Sequence, residues 1–268
     1  MNPLFIRNTW VKQKQERHRW AALTATDYPT GRLLDSMGLD FILVGDSLGM
    51  VALGYPDTTE VTLEMMVHHT AAVARGVRHT FLVADLPKGS YETEESALRS
   101  ATALQAVGAQ AVKLEGGCDY CSVIHALSSH GIPVLAHLGL LPQRVKEEGP
   151  YRQRGKTPEE AQHISADTIA VQEVGVFGTV LEMVIPSLAM KLTQQLRIPT
   201  IGIGSGKNCD GQILVLSDLA GFSPWFRPKF APSYGNVAGE IQGAAKRFIK
   251  EVREKTDDSP SHQSSDSR

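Results

Sequence analysis

The stretch FILVGDSLGM, Phe41 to Met50, runs four apolar residues into a glycine, an acid and a hydroxyl. Such an apolar run reads as a strand buried on both faces, the kind that parallel sheets contain. Ending it on Asp46 poses a physical question, because a carboxylate beside a core is costly unless something pairs with it. The same design recurs along the chain. AALTATD (Ala21–Asp27), FLVADLP (Phe81–Pro87), AVKLEGG (Ala111–Gly117), PVLAHLG (Pro133–Gly139), GTVLEMV (Gly178–Val184), PTIGIGSG (Pro199–Gly206) and ILVLSDLAG (Ile213–Gly221) are all short apolar runs with polar or glycine stops.

Helical patterns lie between most of these runs. Glu60 to Arg75 is one, with Thr62 as N-cap, and Thr93 caps another through Gln105, with Glu94 and Glu95 at its positive end. Thr157-Pro158-Glu159-Glu160 combines a cap, a first-turn proline and a capping-box glutamate. Strands alternating with helices predict a parallel sheet covered by helices. Eight such units in a chain of 268 residues match a (β/α)8 TIM barrel in count and size. A doubly wound open sheet is the alternative, but its usual G-x-G-x-x-G after the first strand is replaced here by TATDYPTG. The glycines of GIGSG (Gly202–Gly206) come only after the seventh run.

Composition narrows the function. The chain is 42% hydrophobic and 21% charged with a net charge of −2, an ordinary globular balance that argues against nucleic acid or an anionic membrane as partner. No apolar run approaches the roughly 20 residues of a membrane span. The basic opening MNPLFIRNTWVKQKQERHRW lacks the apolar core of a secretory signal, and its lack of serine speaks against a mitochondrial presequence. Three cysteines make no disulfide framework, so a reducing, cytoplasmic setting is expected. Cys118 and Cys121 form a lone C-x-x-C. Zinc would want two more ligands at similar spacing and none is evident, so incidental thiols are the expected reading. Residues 1–254 are expected to form a single barrel domain, and KTDDSPSHQSSDSR (Lys255–Arg268) a disordered polar tail.

In a barrel the C-terminal strand ends face the active site. Asp46, Asp85 and Glu115 end the second, third and fourth runs and would converge at one mouth. Left unpaired they would repel one another and push pKa values up. A divalent cation resolves this, and all-oxygen ligation favours magnesium over zinc. Helix capping or water binding is the plainer reading of one such acid, less so of three in succession. Lys113 lies two residues before Glu115, so both side chains share a face. Its partner is either a metal-bound anionic substrate or an acid in a structural ion pair. Ser47 can offer a hydroxyl to a carboxylate. His137 and Glu182 sit near the lips of their strands. A lone histidine in an apolar run is ordinarily a satisfied core residue; Glu182, buried near a metal, would rise toward the pKa of a general base. Asp27 and Asp218 also end runs, with no job assigned to them. The set suits enolate formation from a small 2-oxo acid.

At these residues the sequence resembles the ketopantoate hydroxymethyltransferase family. The blocks TATDYPTG, ILVGDSLGMV, TAAVARG, VADLPKGSY, AVKLEGG, VLAHLGLLPQ, YRQRGKT, IPTIGIGSGKNCDGQILVLSDLAGF and RPKF carry the resemblance over about residues 9 to 250. It implies a (β/α)8 barrel of the phosphoenolpyruvate/pyruvate-utilising superfamily. It also implies transfer of a hydroxymethyl group from 5,10-methylenetetrahydrofolate to 3-methyl-2-oxobutanoate, in pantothenate biosynthesis. By motif match Asp46, Asp85 and Glu115 would hold Mg2+, and Ser47 and Lys113 would bind the oxo acid, with the Asp46–Ser47 pair at its carboxylate end. Asp85 would touch both metal and substrate, Glu182 would accept the C3 proton, and His137 would lie beside the substrate. A homo-oligomer is implied, a decamer being common among bacterial members. Three departures stand out: Pro150 in GPYRQRGK, Lys88 in ADLPKGSY and the late proline of EMVIPS. A related magnesium-dependent 2-oxo acid lyase fits less well, since no cysteine lies in a K-K-C-G-H-type run. A catalytically inactive barrel acting as a binding protein would keep costly buried charges without using them.

Overall fold

Alternation inside the strands builds the molecule, a computed structural model that describes residues 2–225, 228 and 230–254. Eight parallel strands close in chain order into a barrel: β1 (Trp20–Thr24), β2 (Phe41–Val44), β3 (Phe81–Asp85), β4 (Ala111–Glu115), β5 (Val134–Gly139), β6 (Gly178–Glu182), β7 (Thr200–Ile203) and β8 (Gly211–Leu214). The closure is made by β1 pairing with both β2 and β8. Helices cover the outside, as the apolar runs on both faces of the strands require.

Residues of opposite parity serve two cores. Phe41, Leu43, Val83, Ala111, Leu135 and Val180 face the lumen and pack together. Their neighbours Ile42, Val44, Leu82, Val112, Leu114 and Leu181 pack outward under the helices. Two residues further along, the same inward face carries Asp85 after Val83, Lys113 after Ala111, His137 after Leu135 and Glu182 after Val180, with Glu115 two residues beyond Lys113. The lumen therefore changes from hydrocarbon to ionic within about one pleat repeat.

The hydrocarbon end is sealed by the helix Pro3–Gln15. Its Trp10 is buried and meets Phe177 edge-on at 4.7 Å and Trp20 at 5.5 Å between ring centroids. Lys14 ties the helix down, its Nζ donating to the Thr193 and Ile198 carbonyls and pairing with Asp210 Oδ2 at 2.9 Å.

Most of the expected caps are present. Thr62, Thr93 and Thr157 accept from Met65, Ser96 and Glu160 backbone N–H groups. Three expectations need correcting. Thr58–Glu60 is a separate 3-10 turn, because Val61 is extended, and the following helix is Leu63–Gly76. Glu160 does not close a box on its cap residue but accepts from the Gly155 and Lys156 backbones. The eighth strand stops at Leu214, so Asp218 lies on the helix Leu216–Ala220 and not at a strand end. Asp27 caps the helix Tyr28–Leu34 in a box with Thr30.

The chain divides into two compact units, Met1–Leu216 with the whole barrel and Ser217–Arg268. The second carries the helix Val237–Glu254, with Ile241, Phe248, Ile249 and Val252 at helical spacing. The proposed tail and half of the RPKF block (Arg227, Lys229) lie outside the described residues.

Two outcomes are expected. Trp10→Ala should cost about 3–5 kcal/mol of stability in urea denaturation, as truncation of a large buried aromatic does. Asp35 accepts from the His79 and Thr80 N–H groups at 2.9 Å each. Burial works against its charge, but the N–H groups of Thr80, His79 and Arg78 outweigh burial and bring its carboxyl down to about 2. A folded pKa below the unfolded value stabilises the fold above about pH 4, and this stabilisation fades as pH falls toward about 2. Thermal melts over that window should show a shallower acid limb for Asp35→Asn.

Candidate active site

The ionic rim is assembled by strand register. Asp85 pairs with Lys113 across β3–β4, Glu115 with His137 across β4–β5, and Gly139 with Glu182 across β5–β6. Each inward side chain therefore meets the next around the mouth. Lys113 Nζ lies 2.5 Å from Asp85 Oδ1 and 3.9 Å from Glu115 Oε1. His137 bridges two acids, with Nδ1 3.4 Å from Glu115 Oε1 and Nε2 3.1 Å from Glu182 Oε2. Asp46 joins from β2, its backbone N–H donating to Asp85 Oδ2 at 3.1 Å. Ser47 is half-buried beside it. All the ionic members are buried.

The backbone at Glu182 is held from every side. Leu140 N–H donates to the Glu182 carbonyl and Arg154 N–H to that of Met183, at 2.8 and 2.7 Å. Met183 has a left-handed φ of 51°, a conformation that costs a non-glycine residue about 1–2 kcal/mol. Gly139 opposite has φ 99°, and a Cβ there would lie 2.3 Å from the Glu182 carbonyl oxygen. Only glycine fits.

Charge is unbalanced. Four carboxylates (Asp46, Asp85, Glu115 and Glu182) face two cationic side chains, Lys113 and His137. Burial, then the charges of Asp85 and Glu115, hold the Asp46 carboxyl well above its usual range. Burial also raises Asp85, against the pull of Lys113. Burial opposes ionisation of Glu115 too, but His137, Lys113 and the Gln143 N–H outweigh it and hold Glu115 low. For His137, burial and Lys113 push downward, yet its bonds to Glu115 and Glu182 bring it up to about 9. Burial would lower Lys113, and the surrounding acids more than reverse that.

A family model for ketopantoate hydroxymethyltransferase matches residues 6–257. The chain belongs to the ketopantoate hydroxymethyltransferase family. It is 48% identical to the 3-methyl-2-oxobutanoate hydroxymethyltransferase of Ignicoccus hospitalis, covering 94% of this chain and 96% of that protein. The identity to the Thermus thermophilus protein of the same name is also 48%, over 88% of this chain and 91% of that one. Among solved structures, phosphonopyruvate hydrolase in complex with oxalate and Mg++ superposes with a TM-score of 0.61 at 12% identity, covering 93% of this chain and 87% of that one. 2,3-Dimethylmalate lyase, a PEP mutase/isocitrate lyase superfamily member, gives 0.59 at 15%, covering 98% and 91%. At such identities the likeness is one of fold.

Sequence reasoning placed the strand-end residues of this family member but missed Gln143 and Tyr91. Gln143 is buried in the loop after β5; its backbone N–H donates to Glu115 Oε2 at 3.0 Å and its Nε2 to Asp46 Oδ2 at 2.8 Å. Tyr91 Oη donates to Gln143 Oε1 at 2.7 Å and fixes the amide. Neither loop has a periodicity that marks these residues, though Gln143 closes the quoted block VLAHLGLLPQ. Lys88 Nζ lies 2.6 Å from Oε1 of Glu147, on the short helix Val145–Glu148 that follows Gln143.

Among the described residues no three His, Cys, Asp or Glu side chains converge as a ready-made metal cage. Lys113 Nζ stands among the acids, and Asp85 Oδ1 and Glu115 Oε1 are buried with no hydrogen-bond donor beyond their ion-pair contacts. The donor set still fits a hard divalent ion. Magnesium takes one or two protein carboxylates and completes its shell with water and substrate oxygens, and the two-charge excess of carboxylate matches one such ion.

Gln143→Ala would keep the backbone N–H to Glu115 but leave Asp46 Oδ2 and the Leu86 carbonyl without the donor that the amide supplies. It should lower the unfolding free energy in urea by about 1–3 kcal/mol, and Gln143→Glu by more, since it adds a carboxyl beside Asp46.

Proposed function

We propose that this chain is a 3-methyl-2-oxobutanoate hydroxymethyltransferase, taking the one-carbon unit from 5,10-methylenetetrahydrofolate to give 2-dehydropantoate on the route to pantothenate. The observation that carries the reading is the buried Lys113–Glu115–His137–Glu182 chain at the mouth of a barrel of this family.

Glu182 is the proton acceptor at C3 of the oxo acid. His137, protonated at neutral pH, ion-pairs with Glu182, its Nε2 lying 3.1 Å from Oε2, and so holds that carboxylate in place. Lys113 supplies fixed positive charge where negative charge develops on the oxo acid, an interaction worth most in a site closed to water. Ser47 offers its hydroxyl to the carboxylate end, beside Asp46. Asp46, Asp85 and Glu115 would hold Mg2+, which when bound acts as a Lewis acid on the keto and carboxylate oxygens. Gln143 keeps Asp46 and Glu115 oriented by occupying one oxygen of each.

The lyase alternative needs a cysteine over the site. Cys118 and Cys121 lie on the turn after β4, and Cys209 is buried between β7 and β8. We further propose a cytoplasmic homo-oligomer, a decamer, acting on small molecules alone.

Solvent exchange at C3 of 3-methyl-2-oxobutanoate, followed by NMR in D2O with magnesium and no folate, isolates the enolisation step. Metal-dependent exchange is expected, slowed about 100-fold or more in Glu182→Gln. No exchange in the wild-type protein with magnesium present would overturn the mechanism.

A further inference from the structure

We infer that a cavity at the rim of the barrel, behind the loop after β5, is an anion site in which Arg154 receives a carboxylate or phosphate group. The cavity measures about 330 Å³ and lies between Gly116 and Gly139, at the ends of β4 and β5, and the helix Pro158–Glu173. Arg154 lines it. Its side chain is only 8% exposed, yet among the described residues Nε and Nη2 meet no hydrogen-bond acceptor. Those two N–H groups stand side by side on the planar guanidinium. They form the edge that grips a carboxylate or phosphate through two parallel bonds. Burying such an edge unused is costly.

The chain's own acids do not fill that edge. Glu148 Oε2 lies 3.1 Å from Nη2 but out of line for a hydrogen bond. Glu160 reaches only the opposite nitrogen, Nη1, at 4.0 Å. The backbone meanwhile fixes where the side chain starts. Arg154 N–H donates to the Met183 carbonyl at 2.7 Å, and its own carbonyl accepts from the Ile185 N–H at 3.0 Å. The fork is therefore anchored independently of any ion pair, which lowers the cost of ordering it around a ligand.

Acids also line the cavity, and most are committed or screened. Glu160 accepts from Arg152 and from the Gly155 and Lys156 N–H groups. Asp167 accepts from the Cys118 N–H and lies beside His163. Asp119 and Glu159 are exposed, where water screens them. Glu148 differs: it sits on the exposed turn Val145–Glu148 and is shared between Arg144 and Arg154. An incoming anion displaces this carboxylate, which already occupies the ligand's place loosely. Two sources have the required chemistry, a free small anion and the glutamate carboxylates of the folate co-substrate, the second of which rests on the function proposed above.

The test titrates the full chain by calorimetry, without Mg2+, using inorganic phosphate and, separately, p-aminobenzoylglutamate, the tail half of a folate. Saturable binding of at least one probe is expected. Arg154→Gln keeps the backbone bonds and should weaken it about 10-fold or more, as loss of a charge-assisted pair does. Glu148→Gln removes the competing carboxylate and should tighten binding about 3-fold, a gain that a damaged fold would not give. Tighter binding of the folate tail assigns the site to the co-substrate, and tighter binding of phosphate to a free anion. Failure of C3 exchange with binding intact would refute the proposed function and leave the anion site standing. No saturable binding of either probe, wild-type affinity in Arg154→Gln, or weaker binding in Glu148→Gln would overturn the site.

Discussion

One buried ammonium organises this barrel. Lys113 stands in the lumen with Asp85 at 2.5 Å and Glu115 at 3.9 Å. A charge so far from water persists only where opposite charge surrounds it. The acids in turn need Lys113, His137 and the donors of Gln143, because every one of them is buried. Removing any member strands another, so the rim behaves as one electrostatic unit.

That unit rests on the two-residue period of the strands. The inward face that packs Val83, Ala111, Leu135 and Val180 as hydrocarbon presents Asp85, Lys113, His137 and Glu182 one step later. A shift of one residue in any pairing would turn its ionic side chain into the apolar layer beneath the helices. Register here is chemistry as much as stability. The left-handed Met183 and the glycine at 139 show that the backbone accepts local cost to keep Glu182 where it is.

The features legible in the sequence share that origin. Strand-end acids following apolar runs, and the Lys113–Glu115 spacing, follow from periodicity and polarity, so the barrel and most of its rim could be read directly. Gln143 and Tyr91 could not, because they come from irregular loops and their role exists only through contacts across the mouth. The eighth strand was read too long because ILVLSDLAG is equally apolar where it turns into helix.

The plug at the other end of the barrel bears on the order of events. Trp10 and its ring partners close the floor, so the ionic layer has a single doorway, at the strand C-termini. Lys113 therefore lies at the bottom of a one-ended well. Where two ligands share such a well, the deeper one has to enter first. Queueing of this kind is a property of the architecture, fixed by a helix at the far end of the barrel from the reacting atoms.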